Sequence, residues 1–105
     1  MKVLVVDVGG RHVKILATGQ DAPRQFDSGP TLTPGQMAAL AQRISSDWDY
    51  DAVSIGYPGP LLRGRPTSEP HSLGPGWVGF DFEAAFRCPV RVVPARRKRA
   101  KSARV

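Results

Sequence analysis

Asp7, Gly9 and Gly10 stand at the end of a short apolar run, V-L-V-V-D-V-G-G, and are followed by R-H-V-K. An aspartate one residue from a Gly-Gly pair is a combination that can serve a phosphate. Glycine lets the backbone turn tightly with its N–H groups bare. Bare N–H groups in a turn face an anion, and a nearby carboxylate can hold a hydrated Mg²⁺. The same residues also make a plain hairpin, in which Gly-Gly serves only the turn. The spacing alone leaves both readings open.

Other residues that could do chemistry are sparse. Cys88 is the single cysteine, so no internal disulfide and no zinc set can form. It reads as a small buried or half-buried thiol. Asp47, Asp49 and Asp51 cluster, but the glycine and glutamate of a calcium loop are missing. They read as a solvated turn. Glu69, His71, Ser72 and Trp77 fall in a Gly- and Pro-rich stretch from Leu61 to Gly79. A loop that long inside a small domain is usually functional or disordered, and its polar and aromatic residues favour function.

The elements that must position these groups follow from pattern. A first strand is expected over Lys2–Asp7 and a second over His12–Thr18, with a turn at 19–23. A short third strand, Arg24–Ser28, turns Phe26 inward, which makes an antiparallel meander. Thr33 and Pro34 give an N-cap and a proline at the first helical position. Met37, Leu40, Ala41, Ile44 and Trp48 then recur at helical spacing as one apolar stripe, read as core. Ala52–Gly56 is a buried strand, and Tyr57-Pro58-Gly59-Pro60 is a rigid loop at its end. Ligand loops sit at such carboxyl ends in α/β sheets. Asp81 caps one or two helical turns to Phe86, and Val90–Val93 is the last strand. Helix between strands implies a sheet with helix packed on it, an α/β fold.

Charge divides the chain in two. The net charge is +6 over 105 residues, with 15 Lys and Arg against nine acids. Six of those cations (Arg96, Arg97, Lys98, Arg99, Lys101 and Arg104) lie in the last ten residues. Residues 1–95 carry nine of each sign and are neutral. A nucleic-acid-binding domain usually carries its charge on a folded face. Here it belongs to a tail, 94–105, expected to be unstructured. No run approaches the roughly 20 apolar residues of a membrane span, and Asp7 interrupts the N-terminal run too soon for a signal peptide. A soluble cytoplasmic protein without membrane contact is expected.

Three segments in order resemble the ROK family (repressor, open reading frame, kinase) of sugar kinases, nearest its polyphosphate- or ATP-dependent glucokinase branch. They are D-V-G-G-R-H-V-K at 7–14, S-I-G-Y-P-G-P at 54–60 and E-P-H-S-L-G-P-G-W-V-G-F-D-F at 69–82. The resemblance spans about residues 1–93 and implies an N-terminal lobe of the actin-like ATPase (ribonuclease H-like) fold. It implies that Asp7 positions Mg²⁺ indirectly and that Gly9 and Gly10 approach the phosphates of ATP or polyphosphate. Lys14 matches the family lysine. Arg11 replaces the usual Thr, losing a hydroxyl and adding a cation. Gly56, Pro58 and Gly59 would form a wall near the hydroxyls of glucose or a similar hexose. Ser72 stands where the family commonly has Asn, and the shorter side chain makes a direct sugar contact water-mediated or absent. His71 and Trp77 match the glucokinase-like branch.

The resemblance ends at Val93. The family continues there with Asn-Asp, whose Asp takes the proton from the sugar 6-hydroxyl; this chain has Pro94-Ala95. No catalytic residue is therefore identified. The zinc-binding Cys/His segment, the second phosphate segment, the adenosine segment and the second lobe also lack counterparts. The change at Pro94 reads as a shifted reading frame. Phosphoryl transfer needs positioned phosphates, metal and a base-oriented hydroxyl, so the chain alone is expected to be inactive. Two other expectations remain: one half of a split kinase, and a polyanion-binding protein acting through its tail by salt-sensitive, sequence-independent contacts. Nucleic acid is expected only through such non-specific contact.

Overall fold

The computed structural model describes residues 1–95. Five strands form one mixed sheet in the order Arg24–Asp27 (β3), His12–Ala17 (β2), Val3–Val8 (β1), Ala52–Tyr57 (β4) and Val90–Pro94 (β7). Strands β1 (Val3–Val8), β2 (His12–Ala17) and β3 (Arg24–Asp27) are the antiparallel meander. Helix α1 (Pro34–Ile44) then crosses to β4 (Ala52–Tyr57), which lies parallel to β1. A small hairpin, β5 (Leu61–Leu62) and β6 (Arg65–Pro66), and helix α2 (Phe82–Phe86) precede β7 (Val90–Pro94), parallel to β4. The basic residues from 96 onward lie outside the described residues, and the expectation of an unstructured tail falls on them.

Period-two patterning decides which face is covered. Leu4, Val6 and Val8 of β1 are buried, as are Val13, Ile15 and Ala17 of β2 and Val53, Ile55 and Tyr57 of β4. Register aligns them: Val6 pairs with Ile15 on one side and Ile55 on the other. They join Met37, Ala38 and Ala41 of α1 and Phe82 and Phe86 of α2 in one core. Val5 and Leu16, one residue out of phase, are exposed on the opposite face. A slip of one residue would exchange the two faces, so this pattern fixes the register.

The helix ends behave as their sequences dictate. The Thr33 side chain accepts from the Gln36 N–H at 3.2 Å and the Gln36 side chain accepts from the Thr33 N–H at 3.1 Å, a full capping box. The Asp81 carboxylate accepts from the Ala84 N–H at 3.0 Å. The apolar stripe is core: Met37 and Ala41 are buried, Leu40 and Ile44 are half-buried, and Trp48 is buried just past the helix. Phe26 packs against the same core, and Cys88 is half-buried.

The acids at 47–51 are exposed, as a solvated turn requires, and two of them also bond within the fold. Asp47 takes the Arg24 guanidinium at 2.6 Å, and Asp51 accepts from the Lys2 N–H at 2.9 Å. Arg24 also stacks over Trp48, 4.1 Å from the ring centroid. The stretch 61–79 is not one open loop: it contains the β5–β6 hairpin and buries Leu73 and Trp77. The last strand runs through Pro94, and the Ala95 N–H donates to the Tyr57 carbonyl at 2.9 Å.

Candidate functional site

β1, β4 and β7 run parallel, so their carboxyl ends share one edge of the sheet, where α/β folds place ligands. The β1–β2 turn caps that edge. The Gly9 N–H donates to the His12 carbonyl at 3.0 Å and closes the hairpin. Neither Gly9 nor Gly10 uses positive φ. Their requirement is space, not conformational freedom. A Cβ on Gly9 would sit 3.0 Å from the His12 oxygen, and one on Gly10 would sit 3.1 Å from Ser72 Cβ.

Register brings the charged groups together. Asp7 pairs with Lys14 across β1–β2 and with Gly56 across β1–β4; Lys14 pairs with Gln25, and Gly56 with Val93. These residues therefore stand in one row on the exposed face. A Cβ on Gly56 would lie 3.2 Å from Asp7 Oδ1, so only glycine leaves that carboxylate its present place. Asp7, Gly9, Gly10, Arg11, His12, Lys14 and Gln25 line an open cleft of about 390 Å³. Arg11 and Lys14 have no carboxylate within 4.0 Å among the described residues, whereas His12 lies 3.7 Å from Asp27. The cleft thus offers two unpaired cations, one carboxylate and a glycine turn to solvent.

Ser28 is the member that sequence reasoning missed. Its Oγ donates to the Gly9 carbonyl at 2.6 Å and its N–H donates to the Arg11 carbonyl at 2.8 Å. One residue thus ties both arms of the tip to the end of β3. Only the antiparallel pairing of the third strand, which places 28 opposite 11, could have signalled it.

The other nominated residues are divided. Ser72 packs on Gly10 and belongs to this edge. Pro58 is exposed. Gly59 follows β4, but its lack of a side chain is used by Tyr57, whose Cε2 would lie 2.8 Å from a Cβ there. Trp77 is scaffold: it is fully buried, and its indole N–H donates to the Leu32 carbonyl at 3.3 Å. Glu69 is scaffold too. Its carboxylate accepts from the N–H groups of Trp77 at 2.9 Å and Val78 at 3.0 Å. Those donors, Val78 first, hold its acid below the usual carboxylate range. Tyr57 donates to the Ser68 carbonyl at 2.8 Å, and burial followed by the Glu69 charge pushes its phenol up to about 12. His71 is exposed.

No cluster of three or more His, Cys, Asp or Glu among the described residues could cage a metal. A single exposed carboxylate in a cleft that also holds two cations fits Mg²⁺ held through its water shell, since that ion takes one or two carboxylates together with phosphates. At the place where the resemblance puts a general base, the end of β7, stand Pro94 and Ala95. A Cβ on Gly56 would be 3.5 Å from Ala95 Cα. Among the described residues no helix is long and apolar enough to cross a membrane.

No family model and no curated protein matches this chain. A solved structure does: the "Lmo2764 protein, a putative N-acetylmannosamine kinase, from Listeria monocytogenes". The two superpose with a TM-score of 0.65 at 20% identity, over 88% of this chain and 34% of that one. The likeness shows a shared fold. The chain spans about a third of its neighbour's length.

Proposed function

We propose that this chain is the N-terminal part of a ROK-type sugar kinase of the actin-like (ribonuclease H-like) fold. Its hairpin faces the phosphates of ATP or polyphosphate, and Gly56, Pro58, Gly59 and Ser72 face a hexose. The observation that carries the reading is the single row of Asp7, Lys14 and Gly56 at the strand ends, with Ser72 against Gly10 above it. The neighbour's fold supports it, and the neighbour's described substrate, N-acetylmannosamine, is a sugar. The segment at 69–82 favours glucose within that class.

In this reading the tip N–H groups other than that of Gly9, which is given to the His12 carbonyl, and the Lys14 ammonium hold the donor phosphates, joined by Arg11 where a hydroxyl is usual. Asp7 would hold Mg²⁺ through its water shell, and the ion would supply neutralisation of phosphate charge. Backbone groups beside Gly56 orient the sugar. No carboxylate at the end of β7 takes the hydroxyl proton, because Ala95 has none to offer. The chain by itself binds weakly and does not transfer phosphate.

Amide NMR of the full chain tests this. Magnesium tripolyphosphate should shift Gly9, Gly10 and Lys14; glucose should shift Gly56 and Ser72; a coupled assay should find no glucose 6-phosphate. Glucose that leaves Gly56 and Ser72 unmoved removes the hexose part. Turnover by the chain alone removes the assignment of Ala95 as a missing base.

A second reading, polyanion binding through the basic residues from 96 onward, rests on their charge: six of the ten residues 96–105 are Lys or Arg, whereas residues 1–95 are neutral. Affinity for a mixed DNA duplex that survives removal of residues 96–105 would rule it out.

A further inference from the structure

A second cleft, larger than the first at about 710 Å³, lies along the free edge of β7. Its volume falls within the range of small-molecule sites. Arg63, Gly64, Arg65 and Pro66 form one wall, Gly79 to Glu83 the other, and Val90 to Val92 the floor. The β5–β6 hairpin folds over that edge: a Cβ on Gly64 would lie 3.7 Å from the Val92 carbonyl oxygen. Two arginines of the hairpin are thereby brought to the cleft that Arg91 of β7 also lines.

The charges around this cleft are unevenly engaged. Asp81 accepts from the Ala84 N–H, and Glu83 accepts from the Val90 N–H at 3.1 Å. Both acids serve backbone donors. None of the three guanidinium groups has a carboxylate within 4.0 Å among the described residues. Arg63 also occupies a costly position. The hairpin turn is Arg63-Gly64, with φ of 53° and 74°. Two left-handed residues are the requirement of a two-residue primed turn, where Asn, Asp or Gly is preferred at the first position. An arginine there places a cation at the tip at the expense of backbone strain. The half-buried Phe80, its ring 4.9 Å from Phe82, adds an apolar patch to the same wall.

We propose that this cleft is a second anion site, which takes a compact polyanion such as a diphosphate group between Arg63, Arg65 and Arg91. Guanidinium groups suit this ligand because each presents a planar fork of donors to paired oxyanion oxygens. The site is independent of the hairpin cleft at the β1–β2 turn and of the kinase reading.

The test is an amide NMR titration of the full chain with inorganic pyrophosphate, at about 0.15 M salt to screen exposed charge. Saturable shifts at Gly64, Gly79 and Arg91 are expected. Arg63→Gly removes the guanidinium and relieves the left-handed strain, so it should raise the melting temperature while weakening these shifts about tenfold in affinity. Because the variant is more stable, lost binding cannot be lost folding. Unchanged affinity in Arg63→Gly overturns the proposal. So does a titration whose shifts are confined to Gly9–Lys14 or to residues 96–105. Loss of the Gly64 and Gly79 shifts on Lys14→Ala would assign the binding to the hairpin and overturn it equally.

Discussion

The tip of the β1–β2 hairpin and the loop from Glu69 to Gly79 touch each other through Gly10 and Ser72, yet they treat their polar groups in opposite ways. In the loop Glu69 and Trp77 turn their polar groups inward, while His71 and Ser72 stay exposed. Glu69 holds two N–H groups, Trp77 gives its indole N–H to Leu32, and the Gly74 N–H donates to the same Leu32 carbonyl at 2.8 Å. At the hairpin tip the internal bonds are made by backbone and Ser28, and the side chains of Asp7, Arg11 and Lys14 are exposed. A polar group already bonded within the protein holds the fold. A charged group left in water beside a rigid turn is available to a ligand. The contrast recasts part of 69–82 as the support on which Ser72 and the hairpin tip rest.

The largest consequence lies in the support. Trp77→Ala should destabilise the chain by about 3–5 kcal/mol, a large share of the roughly 5–15 kcal/mol available to a small domain. Its ring meets Tyr57 at 6.0 Å and Phe82 at 6.3 Å, so both would lose their neighbour. Urea denaturation checks this. A loss near that of an exposed residue would return Trp77 to the list of ligand groups. Gly74→Ala attacks the same support, because its Cβ would meet the Thr31 carbonyl oxygen at 2.5 Å. Overpacking of that kind costs about 1–3 kcal/mol.

Tyr57→Phe is expected to cost less, about 1 kcal/mol for the bond to Ser68. The phenol also gives the loop a signature in alkali. Its ionisation in the folded protein is held up to about 12, from an ordinary value of 10.0. Between those values the unfolded chain has released a proton that the folded chain keeps, so stability falls as pH rises through this window. Ultraviolet titration should show one of the two tyrosines ionising late, and Tyr57→Phe should remove that step. Glu69 gives the complementary signature in acid. Its folded value is lowered, so its stabilisation is present above the unfolded value and is lost as pH falls through the folded one. Glu69→Gln should flatten the acid side of the stability profile; an unchanged profile would show that the two N–H bonds carry no weight.

The strands and caps were legible because they obey local rules. Leu4, Val6 and Val8 alternate, Thr33-Pro34 announces a helix, and Asp81 caps another, all within a few residues of chain. What was not legible depends on long-range packing. Nothing local tells that Gly74 is small because Thr31 passes above it, or that Gly59 is small for the ring of Tyr57. The glycines of the hairpin were legible as a tight turn, but the room they also make for His12 and Ser72 was not. Ser28 was missed because its partners are residues 9 and 11, seventeen or more positions away, joined only once β3 pairs with β2. The Arg63-Gly64 turn was passed over as loop, since arginine is not a residue that advertises left-handed backbone.

The smallest effect on stability should come from the hairpin tip, where the comparison is most exposed to failure. Lys14 is an outward-facing strand residue without an acid in reach among the described residues, so Lys14→Ala should change stability by no more than about 0.5 kcal/mol. Gly56→Ala is a subtler change. It brings a methyl group to 3.2 Å from Asp7 Oδ1 and forces the carboxylate to shift without altering its charge. If the tip is a phosphate cradle, Lys14→Ala weakens tripolyphosphate binding with and without Mg²⁺, because the ammonium meets the anion directly. Gly56→Ala then weakens binding chiefly when Mg²⁺ is present, because it disturbs only the group that orients the ion's water. Equal losses in both conditions would mean that Asp7 acts by geometry of the turn rather than through a metal. No loss in either variant, with folding intact, would leave the tip as the plain hairpin that its spacing equally allows, and the contrast with the loop would then be one of exposure alone.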